Sequence, residues 1–215
     1  MLPPSRLAGP FYQISLMPHV FPPPPLNTAP PKVQIAAVNE NNIRLAGEIC
    51  DGLRVHPFST AEYTRDVIWP NIQAGAAKSG RSLDDFELSG AGFIATGPDD
   101  EAVAAARENA RYRIAFYAST RTYLPVLAHH GWEDLNPKLR DLIAQNRWDD
   151  LPTVVPDEVL DTFCVSGAWD TIVERVGTRL GGLVDTISVN APNERDPRFD
   201  AVLAGLKQIR GRRDA

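Results

Sequence analysis

Residues 33–56 spell out one β-α-β unit, and that unit constrains the rest of the chain. The run Val33-Gln34-Ile35-Ala36-Ala37-Val38 is short and apolar, suited to a buried parallel strand. It ends at Asn39-Glu40-Asn41-Asn42, residues able to cap a helix. Ile43, Ala46, Ile49 and Cys50 then recur at helical spacing. Asp51-Gly52 ends that helix, and Leu53-Arg54-Val55-His56 opens a second strand. Two parallel strands need a crossover between them, so the unit predicts a parallel sheet with helices on it. The first strand and the helix meet at Asn39. Unpaired N–H groups and the positive helix end converge there, which suits an anion.

The same alternation continues. Ser59-Thr60-Ala61-Glu62 reads as a capping box in which Glu62 reaches back to the Ser59 amide. It predicts a helix to about Ser79, kinked at Pro70 and stopped by Gly80. Residues 86–96 predict a third strand. The small stretch Ser89-Gly90-Ala91-Gly92 within it implies a close backbone approach. Gly97-Pro98-Asp99-Asp100-Glu101 starts a helix reaching about Tyr117. Residues 119–156 read as an excursion of short helices, followed by a short helix over 156–163. Ser166-Gly167 precedes a helix over 168–180, Gly181-Gly182 ends it, and 183–189 is a last buried strand. A final helix follows Asn190, and Arg210-Gly211-Arg212-Arg213 reads as a solvated tail. Four strands do not close an eight-stranded barrel. The chain is a small open sheet or half of something larger.

Ahead of this rhythm the chain is different. Ten of its 19 prolines fall within the first 31 residues, a segment that cannot be helical. Only residues 11–17 could form a strand there, and they are apolar enough to pack on something. The organisation expected is therefore a Pro-rich connecting segment, 1–32, and an α/β domain, 33–215. A net charge of −5 argues against a nucleic-acid or membrane binder. No apolar run approaches the roughly 18 residues that cross a bilayer, and the N-terminus lacks the basic and apolar regions of a signal peptide. Cys50 and Cys164 sit in apolar surroundings and read as buried thiols of a reducing cytoplasm.

Several stretches together resemble a known superfamily. They are Phe11-Tyr12-Gln13-Ile14-Ser15-Leu16-Met17, Ile35-Ala36-Ala37-Val38-Asn39, Arg44-Leu45-Ala46-Gly47-Glu48 with Asp51-Gly52, and Ile114-Ala115-Phe116-Tyr117-Ala118-Ser119-Thr120. His130-Gly131-Trp132, Asp157-Glu158-Val159-Leu160 and Gly181-Gly182-Leu183-Val184-Asp185 follow in order. The pattern resembles the luciferase-like flavin- and deazaflavin-dependent oxidoreductases and monooxygenases, most closely the deazaflavin-using branch. The resemblance implies part of a TIM (β/α)8 barrel, with the present strands corresponding to barrel strands five to eight and a Pro-rich N-terminal extension before them. A truncated product, a split subunit or a misplaced start at Met1 would each give such a chain. The implied cofactor is the deazaflavin coenzyme F-420, alternatively FMN, and the implied substrate is a small organic molecule. The loop after strand five would touch the cofactor phosphate, which assigns Ala37, Val38, Asn39 and, last, Glu40. His56 would lie at the active face. By the resemblance, the family's proton-handling and isoalloxazine-cradling groups sit mostly in the half not matched here, so no catalytic residue is carried over. A homo-oligomer or a complementing N-terminal half chain would complete the barrel.

Other chemistry is excluded by spacing. His129, His130, Glu133 and Asp134 do not make a metal site, because adjacent histidines point apart and no second ligand pair is suitably spaced. Gly90-Ala91-Gly92 starts like a dinucleotide fingerprint, but Ala95 replaces its third glycine. Neither a nucleophile elbow nor a P-loop occurs. His56, at a strand's C-terminal end, either serves an active site or caps local backbone. Three functions stay open: a flavin-type oxidoreductase or part of one, a non-catalytic remnant or partner-binding half-barrel, and an unrelated small α/β binding module.

Overall fold

The computed structural model describes residues 7–11, 13–14, 27–90, 92–192 and 195–214. The chain divides into two units between Pro31 and Lys32. The first holds a short antiparallel ladder, Leu7–Ala8 against Gln13–Ile14, with Phe11 between them 88% exposed. The rest of the expected 11–17 strand, Tyr12 and residues 15–17, lies outside the described residues.

The second unit is α/β. Strands β1 (Gln34–Ala37), β2 (Gly52–Val55) and β3 (Glu87–Ser89) pair in parallel and in sequence order. Between β1 and β2 runs α1 (Glu40–Ile49), capped by Asn39, whose Oδ1 accepts the Asn42 amide at 3.1 Å. The next helix, α2, is built in three consecutive pieces: Ala61–Tyr63, a π-helical turn Thr64–Ile68, and Trp69–Ser79. The expected kink at Pro70 takes this form because proline has no N–H for the carbonyl of Asp66, and the helix widens over that turn. Asn71 Nδ2 donates to the Val67 carbonyl at 2.8 Å, satisfying one loosened acceptor. Gly80 ends α2 in the left-handed region, φ 67°. At its start Thr60, not Ser59, is the cap, accepting the Tyr63 amide at 3.0 Å.

Three expectations about strands are corrected. The strand over 86–96 is two strands, β3 and β4 (Phe93–Gly97), separated where Gly90 and Gly92 take φ of 92° and 73°. The strand over 183–189 reduces to a single parallel bridge, Thr186 to Ser89, with the Gly90 amide on the Thr186 carbonyl at 2.7 Å. A strand that the sequence reading took for a helix approach, β5 (Cys164–Ala168), pairs in parallel with β4. Helices α3 (Asp100–Ala118), α4 (Leu124–His129), α5 (Leu135–Ala144), α6 (Asp157–Phe163), α7 (Ile172–Leu180) and α8 (Pro197–Leu206) complete the unit.

The β1–β3 sheet is two-sided. Ala37, Leu53, Val55 and Leu88 are buried in one core with Ile43 and Ala46 of α1 and Ile72 of α2. The opposite face carries Gln34, Ala36 and Arg54, all exposed, beside Glu87 and Ser89. Cys50 and Cys164 are buried free thiols, as expected.

Helices α1 and α2 touch backbone to backbone. A Cβ on Gly47 would lie 2.1 Å from the Ile72 carbonyl oxygen, and one on Gly75 would lie 1.9 Å from that of Arg44. Gly75→Ala should therefore force the helices apart and cost about 2–3 kcal/mol of unfolding free energy in a denaturant titration, the range of overpacked cores. A loss below 0.5 kcal/mol, the scatter of neutral surface changes, would mean that the contact is looser than described.

The basic C-terminal stretch is not the solvated tail expected. Asp185, its side chain 2% exposed, accepts the Leu88 amide at 2.8 Å, the Arg213 amide at 3.0 Å and the Arg212 guanidinium at 3.2 Å. Arg212 also donates to the Phe86 carbonyl and lies 4.3 Å from the Trp69 ring centroid. Burial would raise the Asp185 carboxyl, but the Leu88 and Arg213 amides and both guanidinium groups outweigh it and hold it below the usual carboxylate range. A carboxyl lowered on folding gives stability that is complete above the ordinary value near 4 and is lost as pH falls through the folded value. Asp185→Asn should cost about 2–3 kcal/mol at pH 7. In melts across pH 2–7 its gap from wild type should close toward the acid end; a gap independent of pH would exclude the carboxylate as its source.

Candidate functional site

The strand ends define the place. Ala37 is the register partner of Val55, so Val38 and His56 leave the sheet side by side at the C-terminal edge. Parallel α/β sheets bind ligands at that edge. A cavity of about 330 Å3 lies there, walled by Ala36, Arg54 and His56, by Gly90 and Gly92 between β3 and β4, by Arg113 of α3, and by Ser188 and Asn190 beyond the bridge strand. Among the described residues no carboxylate and no thiol lines it.

The glycines explain themselves. A Cβ on Gly90 would stand 2.6 Å from the Val55 carbonyl oxygen, and one on Gly92 would stand 2.9 Å from that of Phe163. The close approach implied by the small residues 89–92 is therefore made, at Gly90 and Gly92, by the chain's own backbone.

His56 does two things at once. Its Nδ1 accepts the Phe58 amide at 3.0 Å, the local capping role, and its ring also lines the cavity. Because Nδ1 accepts, the neutral ring carries its proton on Nε2. Burial, and then the charge of Arg113, push its pKa below the ordinary value. Tyr117 meets the ring edge-on with centroids 4.6 Å apart, and Tyr123 lies at 4.8 Å. The arrangement holds a neutral imidazole that donates a hydrogen bond from Nε2. It is poorly suited to taking up a proton, which would cost the Phe58 bond.

The other expected residues sit around the start of α1. Asn39 and Glu40 are exposed, Val38 is half-buried and Ala37 faces the core. Glu40 turns along the helix to Arg44, 2.9 Å away, and so points its charge away from the turn. Asn42 is capped by Asn39, while the amides of Glu40 and Asn41 have no acceptor among the described residues. The structure thus gives two neighbouring features, the α1 turn and the His56 cavity; of the five expected residues only His56 lines the cavity.

Sequence reading missed Arg54 and Arg113 as cavity residues and Tyr117 and Tyr123 as neighbours of the His56 ring. Arg113 and Tyr117 are four apart on α3, and that shared face was the one available signal. His129 lies 3.3 Å from Asp66, and His130 Nε2 is 2.9 Å from Thr60 Oγ1 with its ring stacked on Trp132. Both are engaged in local contacts, and no cluster of three metal-ligating side chains occurs among the described residues.

Comparison with known proteins adds the family. Residues 3–186 match the family model described as luciferase-like monooxygenase. An uncharacterized protein of Mycobacterium tuberculosis is 40% identical over 179 residues, 83% of this chain and 53% of that protein. A 5,10-methylenetetrahydromethanopterin reductase of Archaeoglobus fulgidus is 26% identical over 182 residues, 82% of this chain and 53% of the reductase. Among solved structures, the coenzyme F420 dependent tetrahydromethanopterin reductase from Methanopyrus kandleri superposes with a TM-score of 0.62 at 22% identity, over 83% of this chain and 50% of that one. An F420-dependent secondary alcohol dehydrogenase in complex with an F420-acetone adduct gives 0.53 at 12% identity, over 94% and 56%. The chain spans about half the length of the curated relatives it matches.

Nitrogen-detected NMR checks the histidine. At pH 7 the His56 ring should show a bare Nδ1 and a protonated Nε2, and its titration midpoint should fall below 6.5. A midpoint above 6.5 would contradict the buried, Arg113-facing environment.

Proposed function

The chain belongs to the luciferase-like monooxygenase family, and from that premise we propose that it serves a flavin-type oxidoreductase, with the deazaflavin coenzyme F-420 as cofactor and FMN as the alternative. One observation carries the reading: a ten-residue helix starts at the C-terminal end of β1 with the Glu40 and Asn41 amides unpaired among the described residues. Such a terminus fits a phosphate, which both named cofactors carry. The backbone of Ala37, Val38 and Asn39 would hold it, with Glu40 directed to Arg44. When bound, the cofactor supplies the redox chemistry, and the protein supplies binding and orientation. His56 would donate a hydrogen bond from Nε2 at the adjoining cavity, and Tyr117 and Tyr123 keep water from the ring's flanks. A cavity of about 330 Å3 accepts a small organic substrate.

In this reading residues 33–215 are strands five to eight of a (β/α)8 barrel and residues 1–32 are a connecting segment. The support is the sequential parallel order β1-β2-β3 followed by Thr186, together with relatives of about twice the length. β1 has one unpaired edge among the described residues, flanked by exposed Val33, Leu45 and Ile49. That edge favours a second reading, a half-barrel whose main task is to pair with another chain: a complementing N-terminal half or a second copy. No helix among the described residues is long and apolar enough to cross a membrane. The two buried free thiols suit a cytoplasmic location.

Fluorescence titration with F-420 and with FMN tests the proposal, using the chain alone and the chain mixed with the first half of the Mycobacterium tuberculosis relative. Saturable binding by the mixture supports the oxidoreductase reading. A stable complex that binds neither cofactor supports the second. Asn39→Asp keeps a helix cap but sets a charge beside the phosphate. Two unit charges about 4 Å apart at an effective dielectric of about 20 repel by about 4 kcal/mol. A quarter of that, about 1 kcal/mol, weakens binding roughly fivefold. An unchanged Kd in the binding-competent mixture would remove Asn39 from the site.

A further inference from the structure

We infer that the His56 cavity is an anion-recognition subsite, in which Arg54 and Arg113 bind a carboxylate or phosphate group of the substrate. The assignment of that group to substrate rests on the cofactor phosphate lying at the α1 turn; the subsite itself rests on the cavity alone.

The two arginines reach the cavity from different elements, Arg54 from β2 and Arg113 from α3. Neither makes an ion pair or a hydrogen bond with any described residue. By contrast Arg44, Arg107, Arg111 and Arg147 each hold a carboxylate within 3.1 Å. The contact of Arg113 is the face of Phe93, 5.1 Å from the ring centroid. That orients the guanidinium plane and leaves its N–H edge free. The nearest acid on the sheet face is Glu87, register partner of Gly52. Its Oε1 accepts the Thr186 hydroxyl at 2.8 Å and faces the Ser89 hydroxyl at 3.5 Å, and it makes no ion pair with Arg54.

Two cations in one cavity with no counter-charge among the described residues, inside a chain of net charge −5, is an arrangement that an anion relieves. Guanidinium groups match planar carboxylate and phosphate oxygens with paired N–H donors. Ser188 and Asn190 add neutral polar groups to the wall, and the imidazole of His56 stays neutral beside it, donating from Nε2. None of Ala37, Val38, Asn39 or Glu40 lines this cavity, so it is separate from the α1 turn.

The test uses the purified chain without cofactor, titrated with inorganic phosphate and, separately, with succinate at constant ionic strength. The readout is the His56 ring, which lines the cavity, and Asn39→Asp at the α1 turn should leave its response to succinate unchanged. Binding of an anion should cancel the field of Arg113 and move the His56 titration midpoint upward in a saturable manner. Arg54→Gln and Arg113→Gln should each weaken that saturation at least fivefold; Arg54→Lys should restore part of it, and Arg140→Gln on exposed α5 surface should change nothing. The stronger of the two anions names the group on the substrate. A His56 midpoint unmoved by both anions, or a shift that survives in both Gln variants with wild-type affinity, overturns the subsite. Failure of F-420 and FMN binding with the His56 response intact would sink the cofactor reading and leave the anion subsite standing.

Discussion

Everything at the ligand edge of this molecule depends on how closely α1 and α2 approach. With glycine at 47 and 75 the two helices sit in backbone contact, and both lie on the same apolar sheet face. Beneath them β1 and β2 pair in register from Gln34–Gly52 to Ala37–Val55, so their ends stay level. That level edge puts the start of α1 next to His56. Bulkier residues at the crossing would separate the helices and tilt one strand end against the other, with no change to any group at the site.

The β-α-β core was legible because its signals are local. Asn39 caps where the apolar run stops, Gly80 stops α2, and Asp99 caps α3 through the Ala102 amide at 2.9 Å. What escaped depends on partners far along the chain. Cys164–Ala168 carries Ser166 and Gly167, which read as a helix approach, and becomes a strand only because β4 offers it an edge. The run 183–189 looks like a buried strand, yet the backbone beside it turns away at Gly90, and one bridge forms among the described residues. At the site, Asn39 and His56 were found from position relative to a strand end. Arg54 and Arg113 were not, because a lone arginine in a strand and another in a helix carry no motif until folding sets them in one wall.

The sheet departs from the usual rule for parallel strands, whose faces are both covered. Its helix side is fully apolar, while Gln34, Ala36 and Arg54 stand exposed on the other. The alternation is written into the sequence of β2, where Leu53 and Val55 are buried and Arg54 between them is not. Burying that opposite face against apolar surface would strand a guanidinium, so whatever meets it in a larger assembly must bring polar or anionic groups.

The Asp185 clamp has a bearing on when the molecule can fold. The carboxylate holds the Leu88 amide on one side and Arg212 and Arg213 on the other, and Arg212 reaches the Phe86 carbonyl at the entrance to β3. During synthesis β1, β2 and their helices can assemble as they leave the ribosome. The outer side of β3 must wait for Asp185 and Arg212, 97 residues after Leu88 and 126 after Phe86. Contacts of such sequence separation close slowly. The flank of β3 therefore stays open until Asp185, 97 residues after Leu88, has been made.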